Sequence, residues 1–175
     1  MAKRKPLPEL SRLEAAFLVK DDKELLWKER RAGVSTGKQA GHISSTDGYL
    51  YVCLDRTVYM VHRVLWKLLK KEEPPETLDH IDGNPLNNHI SNLRECSQKQ
   101  NTINRNRTRN VTGVAGVYRS NTKGKYYAQI KANDTNLYLG TFSSLEEAAA
   151  ARRSAEIKYF GEFAPTQQGN NNDRN

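Results

Sequence analysis

Cysteine is scarce: among 175 residues only Cys53 and Cys96 occur, far apart and without a Cys-x-x-Cys. That excludes a structural zinc ribbon and gives little reason to expect a disulfide. No apolar run is long enough to span a bilayer, and the basic, proline-containing residues 1–8 lack the apolar core of a secretory leader. A soluble intracellular protein is expected. Hydrophobic residues make up 37% of the chain, enough for modest cores and better suited to two small modules than to one large globule. Acidic residues are also in deficit, 20 against 28 basic ones, for a net charge of +8. Between residues 105 and 131 they are absent altogether, while seven basic residues are present. So lopsided a run favours a polyanionic partner, most simply DNA.

The segment around which the rest is arranged is residues 77–104, TLDHIDGNPLNNHISNLRECSQKQNTIN. Leu78-Asp79-His80-Ile81 reads as a short strand ended by Asp82-Gly83-Asn84-Pro85. Adjacent strand positions face opposite ways, so one of Asp79 and His80 can meet a metal and the other a water. Asn92 to Cys96 reads as a second extended piece. Ser97-Gln98-Lys99-Gln100 fits a capping box that opens a helix holding Asn101. Folding back, strand, loop, strand and helix could bring Asn101 beside Asp79. Two oxygen donors with open positions suit magnesium at a phosphodiester. An isolated Asp-His pair is more often a turn cap and a core histidine; here Asn92 and Asn101 accompany it.

Asp79-His80, Asn92 in Ser-Asn-Leu-Arg and Asn101 in Gln-Asn-Thr-Ile-Asn resemble the HNH endonuclease motif, in the variant whose last histidine is asparagine. The resemblance implies a β-β-α-metal finger of the kind found in phage and intron homing endonucleases. It implies that Asp79 and Asn101 bind a single divalent metal, most simply Mg2+ with Mn2+ as the alternative. It also implies that His80 is the general base and that Asn92 orients His80 by a hydrogen bond. Asn87-Asn88-His89 stands where Asp-Asn-Arg is usual in the family. For a phage-encoded protein the implied location is the bacterial cytoplasm.

Before this finger, residues 10–27 read as a helix followed by a strand, with Asp21-Asp22-Lys23 as the turn between them. Gly33 to Gly41 reads as a flexible connection. Tyr49, Tyr51, Cys53, Val58 and Met60 alternate about an Asp55-Arg56 hairpin turn. Val61, Val64, Leu65 and Leu68 form one helical stripe, which Glu72-Glu73-Pro74-Pro75 stops. His62 has no ligand partner nearby in sequence, and a structural or phosphate-contacting role suits it better than metal ligation. Gly-Tyr-Leu, His-Arg-Val-Leu-Trp and Pro-Pro in this order also resemble the leader of HNH homing endonucleases.

After it, residues 112–165 read as three strands (114–119, 125–131, 137–142) and a helix capped by Ser144 with Glu147 at N3 and ended by Gly161. Leu145, Ala148, Ala149, Ala155 and Tyr159 line one side of that helix. Alanines there allow close approach to the sheet, leaving the opposite sheet face free. Lys125, Tyr127, Gln129 and Lys131, joined by Tyr118, Ser120, Asn136 and Tyr138, would occupy it. Lysine, glutamine and tyrosine suit phosphate, adenine, and sugar or methyl contacts.

Gly116-Val117-Tyr118-Arg119, Ala128-Gln129-Ile130-Lys131, and Tyr138-Leu139-Gly140-Thr141-Phe142 before Glu146-Glu147-Ala148-Ala149 resemble the AP2 DNA-binding domain. The resemblance implies a sheet seated in the major groove. Tyr118, Ser120 and Asn136 stand where plant members carry DNA-contacting arginines.

The expected organisation is α+β: a disordered tail over 1–8, a nuclease domain over 9–104, a basic linker over 105–111, an AP2-like domain over 112–165 and a polar tail over 166–175. The expected DNA contacts are Arg105, Arg107, Arg109, Tyr118, Arg119, Lys125, Tyr127, Gln129, Lys131 and Tyr138. The expected function is a site-directed endonuclease of double-stranded DNA that needs no protein partner; a non-catalytic DNA-binding regulator is the alternative.

Overall fold

The computed structural model describes residues 5–30, 33–98, 100–101 and 111–165. The chain divides into two compact units, Met1–Ser97 and Gln98–Asn175. The linker arginines Arg105, Arg107 and Arg109 lie outside the described residues. No helix among those described is long and apolar enough to cross a membrane.

The first unit begins with α1 (Leu10–Ala16), β1 (Phe17–Lys20) and β2 (Glu24–Trp27). The expected helix-turn-strand is thus a helix running straight into a hairpin, and Asp21-Asp22 turns between two strands. Both aspartates have positive φ, 49° and 51°, a conformation that Asp tolerates better than most residues. The glycine-rich stretch is not a loose connection either. Gly37 N–H donates to Trp27 O at 2.7 Å and Ala40 N–H to Leu25 O at 2.6 Å, laying the stretch along β2.

A three-stranded antiparallel sheet follows, formed by β3 (His42–Ile43), β4 (Leu50–Leu54) and β5 (Thr57–Met60). Asp55-Arg56 joins β4 to β5 with φ of 49° and 61°, the two-residue turn whose twist matches that of its strands. The next helix, α2 (Val61–Lys70), buries Val61, Val64, Leu65 and Leu68 as its spacing predicts. It also buries His62 and Lys67; Lys67 is ion-paired to Glu73. Lys71, with φ 61°, caps it. These side chains close one core with Leu13, Phe17, Leu25, Trp27, Val52 and Leu54, and Leu7, from the stretch read as disordered, packs against it.

The short strands β6 (Leu78–His80) and β7 (Leu93–Glu95) form their own antiparallel pair. Arg63 reaches from α2 to the segment entering β6, donating from Nη1 to Pro75 O at 2.8 Å and from Nη2 to Pro74 O at 3.3 Å.

In the second unit, β8 (Val117–Arg119), β9 (Tyr126–Ala132) and β10 (Thr135–Phe142) make an antiparallel sheet in the order β10-β9-β8, followed by α3 (Leu145–Phe160). The β9–β10 turn is Asn133-Asp134, again with two positive φ angles. Ser144 Oγ accepts from Glu147 N–H at 3.1 Å, Glu147 Oε2 accepts from Ser143 N–H at 3.0 Å, and Gly161 ends the helix. Val117, Ala128 and Ala148 are the buried centre of this unit, with Tyr126, Leu139, Phe142 and Leu145 around them.

The expected helix stripe holds for Ala148 and Ala155 but not for Tyr159, which is exposed. Arg152 lies against the sheet, donating from Nη1 to Gln129 O at 2.7 Å and from Nε to Glu156 at 2.9 Å. Gly116 makes room for this: a Cβ there would sit 2.6 Å from Gln129 O and 2.9 Å from the Arg152 guanidinium, at a φ of +73°.

Leu65 is fully buried where α2 meets the first core. Leu65→Ala should lower unfolding stability by about 2–5 kcal/mol, read from the urea midpoint of the full-length protein.

Candidate functional site

β6 carries the Asp79-His80 pair, and the pairing register puts Asp79 opposite Arg94 and His80 opposite Leu93. Asp79 is 6% exposed. Its Oδ2 accepts from Arg94 Nε at 3.1 Å and from Nη2 at 2.9 Å, so the carboxylate is matched by a guanidinium directly across the strand pair. His80, one position on, has different neighbours. Its Nε2 lies 2.9 Å from Asn88 Oδ1. Its ring meets His62 edge-on at 5.2 Å between centroids and Tyr49 at 5.8 Å.

The imidazole is therefore buried among polar and aromatic groups. Burial pushes its pKa below the ordinary histidine value, against the opposing pull of the Asn88 hydrogen bond and the Asp82 and Asp79 charges. It is neutral near pH 7, the form that can accept a proton.

The loop from β6 to β7 is closed by asparagine and aspartate side chains. Asp82 Oδ1 accepts from Asn84 N–H at 2.8 Å and from Asn92 Nδ2 at 3.0 Å; its Oδ2 accepts from Asn87 Nδ2 at 2.7 Å. Asn92 also donates to Asn87 O at 2.7 Å and accepts from Asp82 N–H at 3.1 Å. This corrects the expected role of Asn92. Its amide is used up tying the two ends of the loop together, and the side chain bonded to His80 is Asn88. Nothing in the linear spacing separates the two asparagines; only the way the loop closes does. Arg94 was likewise visible in sequence, but its role depends on the register of the strand pair.

Asn101 is helical, with Gln98 and Gln100, and half-buried; it belongs to the second unit. Among the described residues no group of three or more His, Cys, Asp or Glu gathers as a metal-binding cluster.

On the sheet of the second unit, Ala128, Ile130 and Ala132 are buried, so strand alternation puts Tyr127, Gln129 and Lys131 on the other face. Tyr118, paired with Tyr127, stacks on it at 5.2 Å and 24°, and Tyr138 lies 6.5 Å from Tyr127. One tyrosine from each strand thus forms a row across this face. Lys125 is exposed just ahead of β9. Arg119 departs from the set: it pairs with Tyr126 and shares its strand parity with buried Val117, so it points toward the helix side although exposed.

Asp82 links the loop to pH. Burial raises its pKa, but the hydrogen bonds from Asn87, the Asn84 amide and Asn92, with the attraction of His80, bring it below its ordinary 3.8. A folded-state pKa below the unfolded one stabilises fully above the unfolded value, and that stability is lost as pH falls through the folded one. From about pH 5 down to about pH 3, the urea midpoint of the wild-type protein should therefore fall more steeply than that of Asp82→Asn.

Residues 59–103, from the end of β5 past β7, match the HNH endonuclease family. A relative named as an uncharacterized HNH endonuclease, from Acanthamoeba polyphaga mimivirus, is 31% identical over 115 residues, covering 65% of this chain and 59% of its own length. The SPbeta prophage-derived protein YosQ of Bacillus subtilis (strain 168), named for an HNH homing endonuclease, is 34% identical over 77 residues, covering 43% of this chain and 44% of its own. The chain spans less than two thirds of the length of either relative. The segment that holds α2, the buried Asp79-His80 strand and its closing loop is thus the part of this chain that matches the HNH endonuclease family.

Proposed function

We propose that this chain is a site-directed endonuclease of double-stranded DNA, of the homing type, in which the HNH segment cuts and an AP2-like sheet positions it. The observation that carries the reading is His80: a neutral imidazole, walled by Asn88, His62 and Tyr49, one residue from a carboxylate of opposite strand orientation. Such a group can take a proton from water as the water attacks phosphorus.

The donor chemistry fits a hard divalent cation, Mg2+ or Mn2+. Asp79 supplies a carboxylate, and magnesium is commonly held by one or two protein ligands, with phosphate and water completing its shell; Asn101 stands as a candidate ligand by its place in the motif alone. When bound, the cation would offset negative charge on the phosphate and on the departing 3′ oxygen. Arg94 holds the Asp79 carboxylate in one orientation, and the Asp82-Asn87-Asn92 hydrogen bonds keep the two strands in register.

Targeting is assigned to Tyr118, Lys125, Tyr127, Gln129, Lys131 and Tyr138. Supporting this are the shared outward face, the row of tyrosines and the absence of acidic residues from 105 to 131. Lysine contacts phosphate or guanine, glutamine contacts adenine, and the tyrosine rings suit sugar and thymine methyl groups.

His80→Ala should abolish magnesium-dependent cutting of DNA carrying the chain's own coding and flanking sequence, while binding that DNA as tightly as the wild type; cutting at the wild-type rate would remove His80 as the base. Replacing Lys125, Gln129 and Lys131 together by Ala should weaken binding and lower the slope of log affinity against log salt by about 2, one for each lost phosphate contact. An unchanged slope would take the sheet off the DNA.

A further inference from the structure

We infer that the three tyrosines of the second unit's sheet make this chain select thymine over uracil in duplex DNA, their ring edges covering thymine 5-methyl groups in the major groove. Resting on the targeting role proposed above, this selectivity narrows the tyrosine contacts from sugar or methyl to the methyl alone.

Tyr118 and Tyr127 are direct cross-strand partners, and their rings stack with centroids 5.2 Å and planes 24° apart. That separation is close to the strand spacing of about 4.8 Å, so the rings stand up from the sheet with their faces toward each other instead of lying flat on it. Tyr138 is opposite Gln129 in the register, but its hydroxyl is hydrogen-bonded to Thr141, the residue opposite Tyr127. The bond draws the third ring into the row, 6.5 Å from Tyr127. A bulge between Tyr138 and Gly140 turns Leu139 to the core, and this is what lets Tyr138 and Thr141, three residues apart, share a face.

Rings packed face to face offer their edges outward, not a platform on which unpaired bases could stack. A tyrosine edge is apolar except at its hydroxyl, and the hydroxyl of Tyr138 already has Thr141. Among the base edges of the major groove, the 5-methyl of thymine is the apolar group. The row spans two strand spacings, about 10 Å, and that groove is about 12 Å wide. Gln129, opposite Tyr138 on the same face, carries the side chain that pairs with adenine, the partner of thymine. Charge points to the same occupant: residues 112–143 hold four basic side chains and one acidic, Asp134, which suits a phosphate backbone on either side of the row.

The full-length protein, kept without divalent cation so that nothing is cut, is titrated with a duplex bearing the chain's coding and flanking sequence, made with thymine or with uracil throughout. The uracil duplex should bind more weakly by about fourfold for each methyl covered. Tyr138→Ala should lower that thymine-to-uracil ratio by about fourfold, while Tyr138→Phe, which keeps the ring, should leave the ratio unchanged. Tyr138 is 66% exposed, so its truncation opens no cavity in the core. Lys131→Ala should weaken both duplexes alike and keep the ratio. Equal affinity for the two duplexes, a ratio unmoved by Tyr138→Ala, a ratio lost in Tyr138→Phe, or tighter binding of a separated strand than of the duplex overturns the methyl contact and leaves the sheet on DNA. Thymine-duplex binding that survives the combined replacement of Lys125, Gln129 and Lys131 unweakened overturns the targeting role itself.

Discussion

The ion pair between Asp79 and Arg94 sets the geometry of the first unit's site. A carboxylate taken out of water costs several kcal/mol unless a partner compensates it, and Asp79 has only 6% of its surface exposed. Two donors of one guanidinium, at 3.1 and 2.9 Å, supply that partner from the facing strand. Because strand side chains alternate, slipping β7 by one residue would turn Arg94 to the other face and leave the charge alone. The pair thus penalises every register but one. In that register His80 faces the opposite side, toward Asn88, His62 and Tyr49.

A three-residue strand pair is too short to be stable alone, and the surroundings make up the difference with polar contacts. Asp82, Asn84, Asn87 and Asn92 close the loop through side-chain hydrogen bonds. Arg63 ties the proline segment ahead of β6 to α2, whose apolar side belongs to the core. The entrance to the strand, the strand and the loop after it are each held by separate partners. This is the pre-organisation that the proposed role of His80 as proton acceptor requires, since reorienting an imidazole during the reaction would add to the barrier.

The second unit solves a different problem with the same economy. Alanines at 128, 132, 148 and 155 let a helix approach a three-stranded sheet closely, and Arg152 fills the remaining gap by bonding the Gln129 carbonyl. With the helix occupying one face, the other is left to Tyr118, Tyr127, Gln129, Lys131 and Tyr138. Stacked tyrosines stiffen that face without closing it off, and Tyr138 remains 66% exposed.

Much of this was legible in the residues. The stripe of α2, the Asp55-Arg56 turn, the Ser144 cap and the alternation of β9 follow from local preferences that neighbours do not overrule. Elsewhere longer-range contacts prevailed. Gly33 to Gly41 looked loose because glycine and serine carry no packing signal, yet its backbone amides pair with β2. Arg152 and Lys67 are held by a carbonyl and a carboxylate, contacts that no local pattern announces. By itself, then, the order of residue types determined the helix stripe, the tight turns, the cap and the strand alternation named above, and that an acid and an imidazole stand next to each other. Only the folded chain decided that Asn88 rather than Asn92 meets that imidazole, and that Arg94 meets the acid. Hydrogen-bond partnership is settled within a few tenths of an ångström by the path of a closing loop, and spacing along one dimension does not contain that path.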